Sequence, residues 1–494
     1  MSNPPQQEAH QPSPAAQRAQ PFGFGNAVSV GIVGGGLAGV AAAVALAERG
    51  IAVELFEQRK MLGGRVGAFR EPRTGQMLDH SQHVSMGCCT NLSDFCRRIG
   101  IADRFHRHRT LHFLAPDRRQ YDFHPAAWLP APLHLGPALM RLGYLSLGQR
   151  GSIAAAMNRL VRERPTNGNA QQSIGEWLRR HGQSDRTIEQ FWSVVLLAAL
   201  SETVDRIAVP TARKVFFDGM LAHREAYELA VPEGSLGEAV DQAAADWLSG
   251  LGVRVHRGCR VERLEGDGEQ IRGVRLADGS TREFAFVIAA VPWHKLPRLL
   301  PESVGTAVPA IDRCGDLPRG AITAVHLWFD RPVTPLPHAA LVDRYSQWFF
   351  QPGRQDAIGP GGELGHYCQA VISATHAMAS RSRQETVDEV CRDLEAVWPS
   401  AGRRRLLHAR VVTHPSAVFA PQPGVDALRP PQSTAVENLL LAGDWTATGW
   451  PATMEGAVRS GYLAAEAILN KLGHDDRVLV PDLPTSRLAR WLVR

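Results

Sequence analysis

The stretch that decides the fold lies near the N-terminus and reads Val28-Ser-Val-Gly-Ile-Val33, then Gly34-Gly-Gly36-Leu37-Ala38-Gly39. The first six residues predict a strand, and the glycines form a G-x-G-x-x-G turn that opens an alanine-rich helix. In such a turn the first glycine permits the tight bend, the second lets the backbone approach a pyrophosphate, and the third lets the helix pack closely on the sheet. The free N–H groups and the positive dipole end of the helix N-terminus attract the diphosphate. The segment therefore predicts a dinucleotide site formed by Gly34, Gly36, Leu37, Ala38 and Gly39.

The next segment indicates which nucleotide the site prefers. A second predicted strand, Ile51-Ala-Val-Glu-Leu-Phe56, ends at Glu57, which lies 18 residues beyond Gly39. A carboxylate at this position accepts hydrogen bonds from ribose hydroxyls, and its charge repels a 2′-phosphate. We therefore expect an ADP moiety without that phosphate.

Two further motifs favour a flavin over a nicotinamide cofactor. The glycine pair Gly63-Gly64 lets a second loop approach the diphosphate, and Arg65 can pair with a phosphate through its planar fork. Near the other end of the chain, an apolar strand runs into Gly443-Asp444, and a helix is predicted to start around Thr453-Met454. Asp444 would bond the ribityl chain, and the helix N-terminus would face the electron-rich pyrimidine edge of the ring.

These three motifs together resemble the FAD-dependent amine oxidase and phytoene desaturase superfamily, whose FAD domain is assembled from both ends of the chain. Within it, Asp79-His-Ser-Gln82-His83-Val-Ser-Met-Gly87-Cys88 and the segment from Asp444 to Gly461 resemble the squalene-associated branch, the hydroxysqualene dehydroxylases of hopanoid synthesis. The resemblance covers roughly residues 28–469. It is very specific for FAD and less specific for the substrate.

The resemblance implies an α/β fold: a Rossmann-type FAD-binding domain of the glutathione-reductase and amine-oxidase type, with an inserted α+β substrate domain. A chain of 494 residues is long enough for two or three such units. The strand around Val261 is expected to bind the adenine through its backbone, although an ordinary strand valine is an equal alternative. The predicted division is a disordered tail (1–27), an FAD-binding domain in three parts (28–104, 231–292 and 429–470), a mainly helical insertion facing substrate and membrane (105–230), a second part of the substrate domain (293–428) and a C-terminal tail (471–494).

Composition and charge exclude several classes of protein. The chain has 54 basic and 49 acidic side chains, and no basic block is dense enough to predict nucleic-acid binding. Seven cysteines without a C-x-x-C motif favour a reducing compartment over a disulfide framework, and no metal site is predicted. We find no signal peptide and no apolar run long enough to span a membrane. A cytoplasmic protein is expected, with peripheral contact at the inner face of the cytoplasmic membrane through Ser486–Arg494 as an even alternative.

Other flavoenzyme classes fit the sequence less well. A disulfide reductase needs a cysteine pair just after the first helix, and no second G-x-G-x-x-G motif indicates a built-in NAD(P)H domain. Amine oxidases place a lysine near the flavin in a strand of the second half, but the matching strand Ala321–Phe329 has none. An apolar substrate remains, and Phe191–Leu200 with Ala127–Leu133 would line its tunnel or simply belong to the core.

The chemistry follows from the resemblance. Hydroxysqualene dehydroxylases replace an allylic hydroxyl with hydrogen and give squalene and water, so the site must protonate the leaving hydroxide while reduced flavin supplies hydride. His83 and Asp79 are the candidate proton donors, because the loop that carries them should follow the Gly-Gly-Arg turn. The alternative is that His83 merely holds this loop over the flavin.

The sequence thus predicts a hydroxysqualene dehydroxylase with hydroxysqualene as its apolar isoprenoid substrate, working beside squalene and hopanoid pathway enzymes. The second hypothesis is a carotenoid or phytoene-type desaturase that runs in the oxidative direction. The third is a non-catalytic isoprenoid carrier on the same fold, which the intact Asp444 and Met454–Gly461 motif disfavours.

Overall fold

The computed structural model describes residues 28–163, 166–358, 362–378 and 380–493. The predicted disordered tail, residues 1–27, lies outside the described residues. The first part of the chain contains β1 (Ser29–Val33), α1 (Leu37–Ala47), β2 (Ala52–Glu57), β3 (Ala68–Arg70), β4 (Met77–Asp79), β5 (Ser85–Met86) and α2 (Thr90–Arg98).

The next part, up to residue 232, starts with three strands and continues with helices. Its elements are β6 (Phe105–His108), β7 (Leu111–Leu114), β8 (Gln120–Phe123), α3 (Gly136–Arg141), α4 (Leu147–Leu160), α5 (Asn167–Ala170), α6 (Ile174–Arg180), α7 (Asp185–Thr187), α8 (Ser193–Leu200), α9 (Val209–Phe216) and β9 (Leu229–Pro232). Two π-helical turns, Ile188–Trp192 and Phe217–Leu221, extend α7 into α8 and continue α9.

The remaining elements complete both domains. They are α10 (Leu236–Gly250), β10 (Arg254–Arg257), β11 (Val261–Gly266), β12 (Ile271–Leu276), β13 (Thr281–Arg282), β14 (Phe286–Ala289), α11 (Leu296–Leu299), α12 (Glu302–Ala307), α13 (Pro309–Cys314), β15 (Arg319–Phe329), β16 (His338–Leu341), β17 (Trp348–Phe350), β18 (Gln355–Ile358), β19 (Glu363–Ser373), α14 (Arg383–Val397), β20 (Leu406–Phe419), β21 (Leu439–Leu441), α15 (Met454–Lys471) and α16 (Arg487–Val493).

A five-stranded parallel sheet with the order β10-β2-β1-β14-β21 forms the centre of the first domain. Segments 28–104, 231–292 and 429–470 supply all five strands, so distant parts of the chain build one sheet. Helix α1 is buried at all eleven positions, because it lies between this sheet and the helices α10 and α15. This is the doubly wound α/β arrangement that the glycine turn and its flanking strands predicted.

The two ends of the chain meet at a glycine of α15. A Cβ added to Gly461 would lie 2.2 Å from the carbonyl oxygen of Ala38, so only a glycine lets α15 approach the backbone of α1 this closely. Helices from near the two ends of the described chain therefore share one core.

A second, larger sheet forms the other domain. Its order is β20-β15-β19-β17-β16-β7-β8, with β18 paired to β19. The segment 105–230 was predicted to be mainly helical, but it contributes β7 and β8 to this sheet. The residues of β8 alternate between more exposed and more buried positions, as they do in a strand with one face in the core. Helices α3, α4, α6, α8 and α9 share a core with these two strands, and the buried Trp177 and Trp192 belong to it. Both insertions therefore form a single α+β domain.

Among the described residues, no helix combines the length and the apolar character that crossing a bilayer requires.

Candidate functional site

The glycine turn before α1 leaves open space at one position only. A Cβ on Gly34, which has a φ of +114°, would lie 2.4 Å from the carbonyl oxygen of Ala290, and one on Gly39 would lie 2.0 Å from the carbonyl oxygen of Gly34. A Cβ on Gly36 would meet nothing nearer than the Cα of Gly64, at 3.9 Å. The first and third glycines thus close the turn, and the second keeps the space in front of the N-terminus of α1 free, as a diphosphate requires. Leu37 and Ala38 form the first turn of this helix.

The Gly63-Gly64 loop lies directly against this turn. The N–H of Gly63 donates to the carbonyl oxygen of Gly35 at 2.8 Å, and both Gly63 and Gly64 have positive φ, +98° and +63°. A Cβ on Gly64 would lie 2.9 Å from the Cα of Gly36. Two glycine loops therefore form one cradle, which side chains at these positions would fill.

Glu57 lies at the edge of the cradle and is buried. Its two oxygens accept hydrogen bonds from the N–H groups of Gly35 and Arg59, each at 2.8 Å, and each oxygen keeps acceptor capacity for a hydroxyl. The carbonyl oxygen of Glu57 accepts the N–H of Cys259, which brings Val261, the first residue of β11, to the same side.

Arg65 joins the two ends of the chain. Its Nη2 donates to Asp444 Oδ1, and its Nη1 donates to the carbonyl oxygen of Ala417 at 2.9 Å. The guanidinium carbon lies 5.9 Å from the ring centroid of Trp293. The sequence predicted a phosphate as the partner of Arg65, whereas the structure pairs this side chain with the carboxylate that was expected to bind the ribityl chain.

The Gly443-Asp444 turn is held by a residue that the sequence analysis did not single out. The Nη2 of the buried Arg429 donates to the carbonyl oxygens of Asp444, Thr446 and Trp450 at 3.1, 2.6 and 2.7 Å. No local sequence pattern distinguished Arg429 from the other arginines of the chain. Arg429 fixes the whole connection from β21 to α15.

Helix α15 starts where the sequence predicted it, and Thr453 caps its N-terminus. Thr453 Oγ1 accepts the N–H of Gly456 at 3.1 Å, and Met454 is the first helical residue. Gly443, with a φ of +150°, donates its N–H to Ser460 Oγ at 2.8 Å, so the turn and the helix are fixed to each other.

Asp79 has a structural role that its sequence position did not reveal. Its carboxylate accepts hydrogen bonds from Ser235 Oγ at 2.6 Å and from the N–H groups of Leu236 and Gly237 at 2.9 and 3.0 Å. These are donors at the N-terminus of α10, so Asp79 caps that helix from another part of the chain. The role of Asp79 as a proton donor stays a prediction.

Four histidines carry buried, unpartnered nitrogen atoms, and two of them, His294 and His414, lie near Arg65. Among the described residues, His80 Nδ1, His83 Nε2, His294 Nδ1 and His414 Nδ1 are buried without a hydrogen-bond partner. His80 donates its backbone N–H to the carbonyl oxygen of Gly67, and its ring centroid lies 6.3 Å from that of His414. His294 follows Trp293, and His414 lies three residues before Ala417 on β20. Of these four histidines, only His83 was predicted from the sequence. His294 could also have been predicted, because it lies just beyond β14 at the carboxyl edge of the parallel sheet.

Burial keeps these imidazoles neutral. It lowers the pKa of all four side chains, that of His414 to about 4, and the positive charge of Arg65 lowers the pKa of His294 and His414 further. Asp79 opposes this effect at His83 without reversing it. At neutral pH this side of the site therefore offers proton acceptors beside a cation.

One lysine does reach the region of α15, from the helical insertion. Lys214 Nζ on α9 lies 4.6 Å from the ring centroid of Trp450, whose Nε1 is buried without a partner among the described residues. The strand β15 carries no lysine, as predicted. The two segments that were expected to line a substrate tunnel differ in exposure. Trp192 in the first is fully buried, whereas Trp128 in the second is 78% exposed at the surface.

Together, the parallel sheet and the double glycine cradle define a dinucleotide-binding flavoprotein. The model of the family "flavin containing amine oxidoreductase" matches residues 37–469, and the chain belongs to this family. Its cofactor is FAD, and the Gly36 cradle and the unpartnered imidazoles fit a bound cofactor of that kind.

Two of the similar proteins are desaturases by name. The chain is 25% identical over 463 residues to 15-cis-phytoene desaturase of Solanum lycopersicum, covering 89% of this chain and 77% of that protein. It is 26% identical over 477 residues to zeta-carotene desaturase of Synechocystis sp., covering 89% and 97%.

Solved structures share the fold. An oxidoreductase from Methanosarcina mazei superposes with a TM-score of 0.66 at 18% identity, covering 90% of this chain and all of that one. Putrescine oxidase gives a TM-score of 0.65 at 15% identity, with coverage of 90% and 99%. The protein is thus an FAD-dependent oxidoreductase of the amine-oxidase fold.

Proposed function

We propose that the protein oxidises a long apolar isoprenoid and introduces a double bond, as a carotene-desaturase-type enzyme. The observation that carries this proposal is the alignment of phytoene and zeta-carotene desaturases with 89% of the chain. This favours the second sequence hypothesis over the first. It also disfavours a carrier, because a flavin site serves redox chemistry.

The proposed cofactor contacts follow the geometry of the cradle. The diphosphate would lie at the α1 N-terminus, the adenosine at the edge of the sheet, and the ribityl chain and pyrimidine edge at the α15 N-terminus. The residues proposed to hold FAD are Gly34, Gly36, Leu37, Ala38, Gly39, Gly63, Gly64 and Arg65 for the diphosphate, Glu57 and Val261 for the adenosine, and Gly443, Asp444, Thr453 and Met454 for the remainder.

When FAD is bound, its N5 atom would accept a hydride from the substrate in this reaction. The protein must then take up the proton that leaves the neighbouring carbon when a double bond forms. The neutral imidazoles of His80, His83, His294 and His414 are suited to this step, since a buried neutral imidazole accepts a proton. The arrangement of acceptors beside Arg65 thus supports the oxidative direction.

A second candidate is hydroxysqualene dehydroxylation, which the segments 79–88 and 444–461 favour by their resemblance to that branch. In this reaction His83 would have to be protonated before it could assist the departure of hydroxide. Such an enzyme would work beside the enzymes of squalene and hopanoid synthesis.

The two candidates are separated by running the enzyme in both directions. Oxidised holoenzyme is incubated with phytoene, zeta-carotene or squalene and an artificial electron acceptor, and photoreduced holoenzyme is incubated with hydroxysqualene. New conjugated double bonds in the first reaction support desaturation. Squalene in the second reaction, without desaturation in the first, supports dehydroxylation. Turnover in neither reaction rejects both.

A further inference from the structure

The exposed apolar side chains of the protein are concentrated in one region. Six large apolar side chains among the described residues are between 48% and 78% exposed, and four of these lie between residues 128 and 147. A fifth, Trp491 on α16, is 69% exposed, whereas the sixth, Leu364, belongs to β19. The five clustered side chains are Trp128, Leu133, Met140, Leu147 and Trp491.

Hydrogen bonds join α16 to the segment that carries Trp128. Ser486 Oγ donates to the carbonyl oxygen of Ala131 at 2.6 Å, and its N–H donates to that of Ala222 at 2.8 Å. Arg224 donates to the carbonyl oxygens of residues 127 and 129 at 2.8 and 3.0 Å. Residues 127–131 therefore adjoin the start of α16, and we call residues 127–147 and 486–492 the Trp128–Trp491 face.

The orientation of α16 turns its tryptophan outward. Ala489 is buried against Val161, Phe217 and Ala222. Trp491 follows two residues later, which is about 200° around the helix, so it lies on the outer side. The side of α16 that packs on the protein carries the small Ala489, whereas the large Trp491 is exposed. Burial of apolar surface during folding would favour the opposite arrangement.

The charge of this surface is mostly positive. No aspartate or glutamate occurs between Asp122 and Glu163 or after Asp482, whereas arginines occur in both segments. Arg141, Arg487 and Arg490 are exposed. The linking segment adds Arg224 and, beside it, the exposed Glu225. Tryptophan and leucine with arginine, and almost no carboxylate, match a surface of anionic headgroups over acyl chains.

Residues 222–228 lie between the Trp128–Trp491 face and the candidate site. The carbonyl oxygen of Ala226 accepts the N–H of Cys88 at 3.1 Å, and Ala226 packs with Cys88 and Trp450. If the proposed function is correct, an isoprenoid dissolved in the acyl chains has a short route to the flavin.

We propose that the Trp128–Trp491 face docks the protein on an anionic phospholipid bilayer. Its test is co-flotation of full-length holoenzyme with vesicles of phosphatidylcholine alone, or of phosphatidylcholine mixed with phosphatidylglycerol. We expect binding to the mixed vesicles that weakens with salt.

Variants locate the binding surface. We expect Trp128→Ala with Trp491→Ala to weaken binding at least about tenfold through lost apolar burial, and Arg487→Glu with Arg490→Glu to weaken it more than about twentyfold. Leu364→Ala, which removes an exposed apolar side chain elsewhere, should bind like the wild type. Flavin absorbance and circular dichroism check that each variant is folded.

Two results would overturn the proposal. One is equal or absent binding of the wild type and both double variants to the mixed vesicles. The other is a dimer in solution that the tryptophan variants dissociate, because a second copy would then cover this face. Turnover of detergent-dispersed substrate is measured in parallel, so a failure of membrane binding is distinguished from a failure of the proposed reaction.

Discussion

Gly36→Ala tests whether the open space before α1 is the diphosphate site. Gly36 has φ −73° and ψ 174°, a conformation that alanine adopts without strain, and the nearest atom to its new Cβ is 3.9 Å away. We therefore expect the apoprotein to lose no stability and to gain up to about 0.5 kcal/mol, because alanine restricts the unfolded chain. The methyl group would occupy the space that a diphosphate needs.

The expected cost to FAD binding follows from the hydrogen bonds that the displaced diphosphate loses. A hydrogen bond to a charged group contributes about 1.5–3 kcal/mol, so the Kd for FAD should rise at least about tenfold. Fluorescence titration of apoprotein with FAD measures this change, and urea unfolding of the apoprotein measures the stability.

Gly39→Ala is the matched control, since its Cβ would lie 2.0 Å from the carbonyl oxygen of Gly34. It should destabilise the apoprotein by about 1–3 kcal/mol, because the helix must move away from the turn. If Gly36→Ala bound FAD like the wild type, the assignment of the cradle would be refuted.

The remaining predictions concern a capping carboxylate, a buried arginine and two histidines. Asp79→Asn should lower the unfolding free energy by about 1–2 kcal/mol in urea, because α10 loses its charged cap; slower turnover at unchanged stability would instead restore a catalytic role. Arg429→Met should lose FAD during purification and unfold about 3 kcal/mol more easily, since three buried carbonyl oxygens lose their donor; full flavin occupancy and unchanged stability would contradict this. Burial, with His108 and His112 adding to it, lowers the pKa of His338 to about 4, so the unfolded chain binds the extra proton first, and stability should fall as the pH drops from about 6.5 to about 4; His338→Gln should flatten urea midpoints measured across this range. His414→Phe should retain FAD but reduce turnover about a hundredfold or more if this imidazole takes up the proton, whereas the exposed His106→Gln should change neither.

Several elements of the fold could be predicted from local sequence, because the residues that determine them lie close together in the chain. The strand, glycine turn and helix from Val28 to Ala47 depend on neighbours within a few residues, and so does the Thr453 cap, which acts on Gly456. The apolar run from Phe286 likewise predicts a buried parallel strand without reference to its partners. Each of these elements is therefore encoded within its own segment of the chain.

The contacts that the sequence did not reveal join residues that are distant along the chain. Asp79 could be placed on a loop, but its donors lie 156–158 residues away at the start of α10. Arg65 could be matched to an anion by its chemistry, but not to Asp444, which lies 379 residues further on. Strands β7 and β8 form a local hairpin that was missed, because the pairing of β7 with β16 joins two insertions that the sequence separates.

The contact between Gly461 and Ala38 has a consequence for synthesis on the ribosome. Helix α1 emerges early, yet the side of it that packs on α15 remains uncovered until α15 is translated more than four hundred residues later. During that interval the nascent chain exposes an adhesive surface that a chaperone must shield. A stop codon anywhere before α15 would therefore release a polypeptide destined for degradation rather than a shortened enzyme.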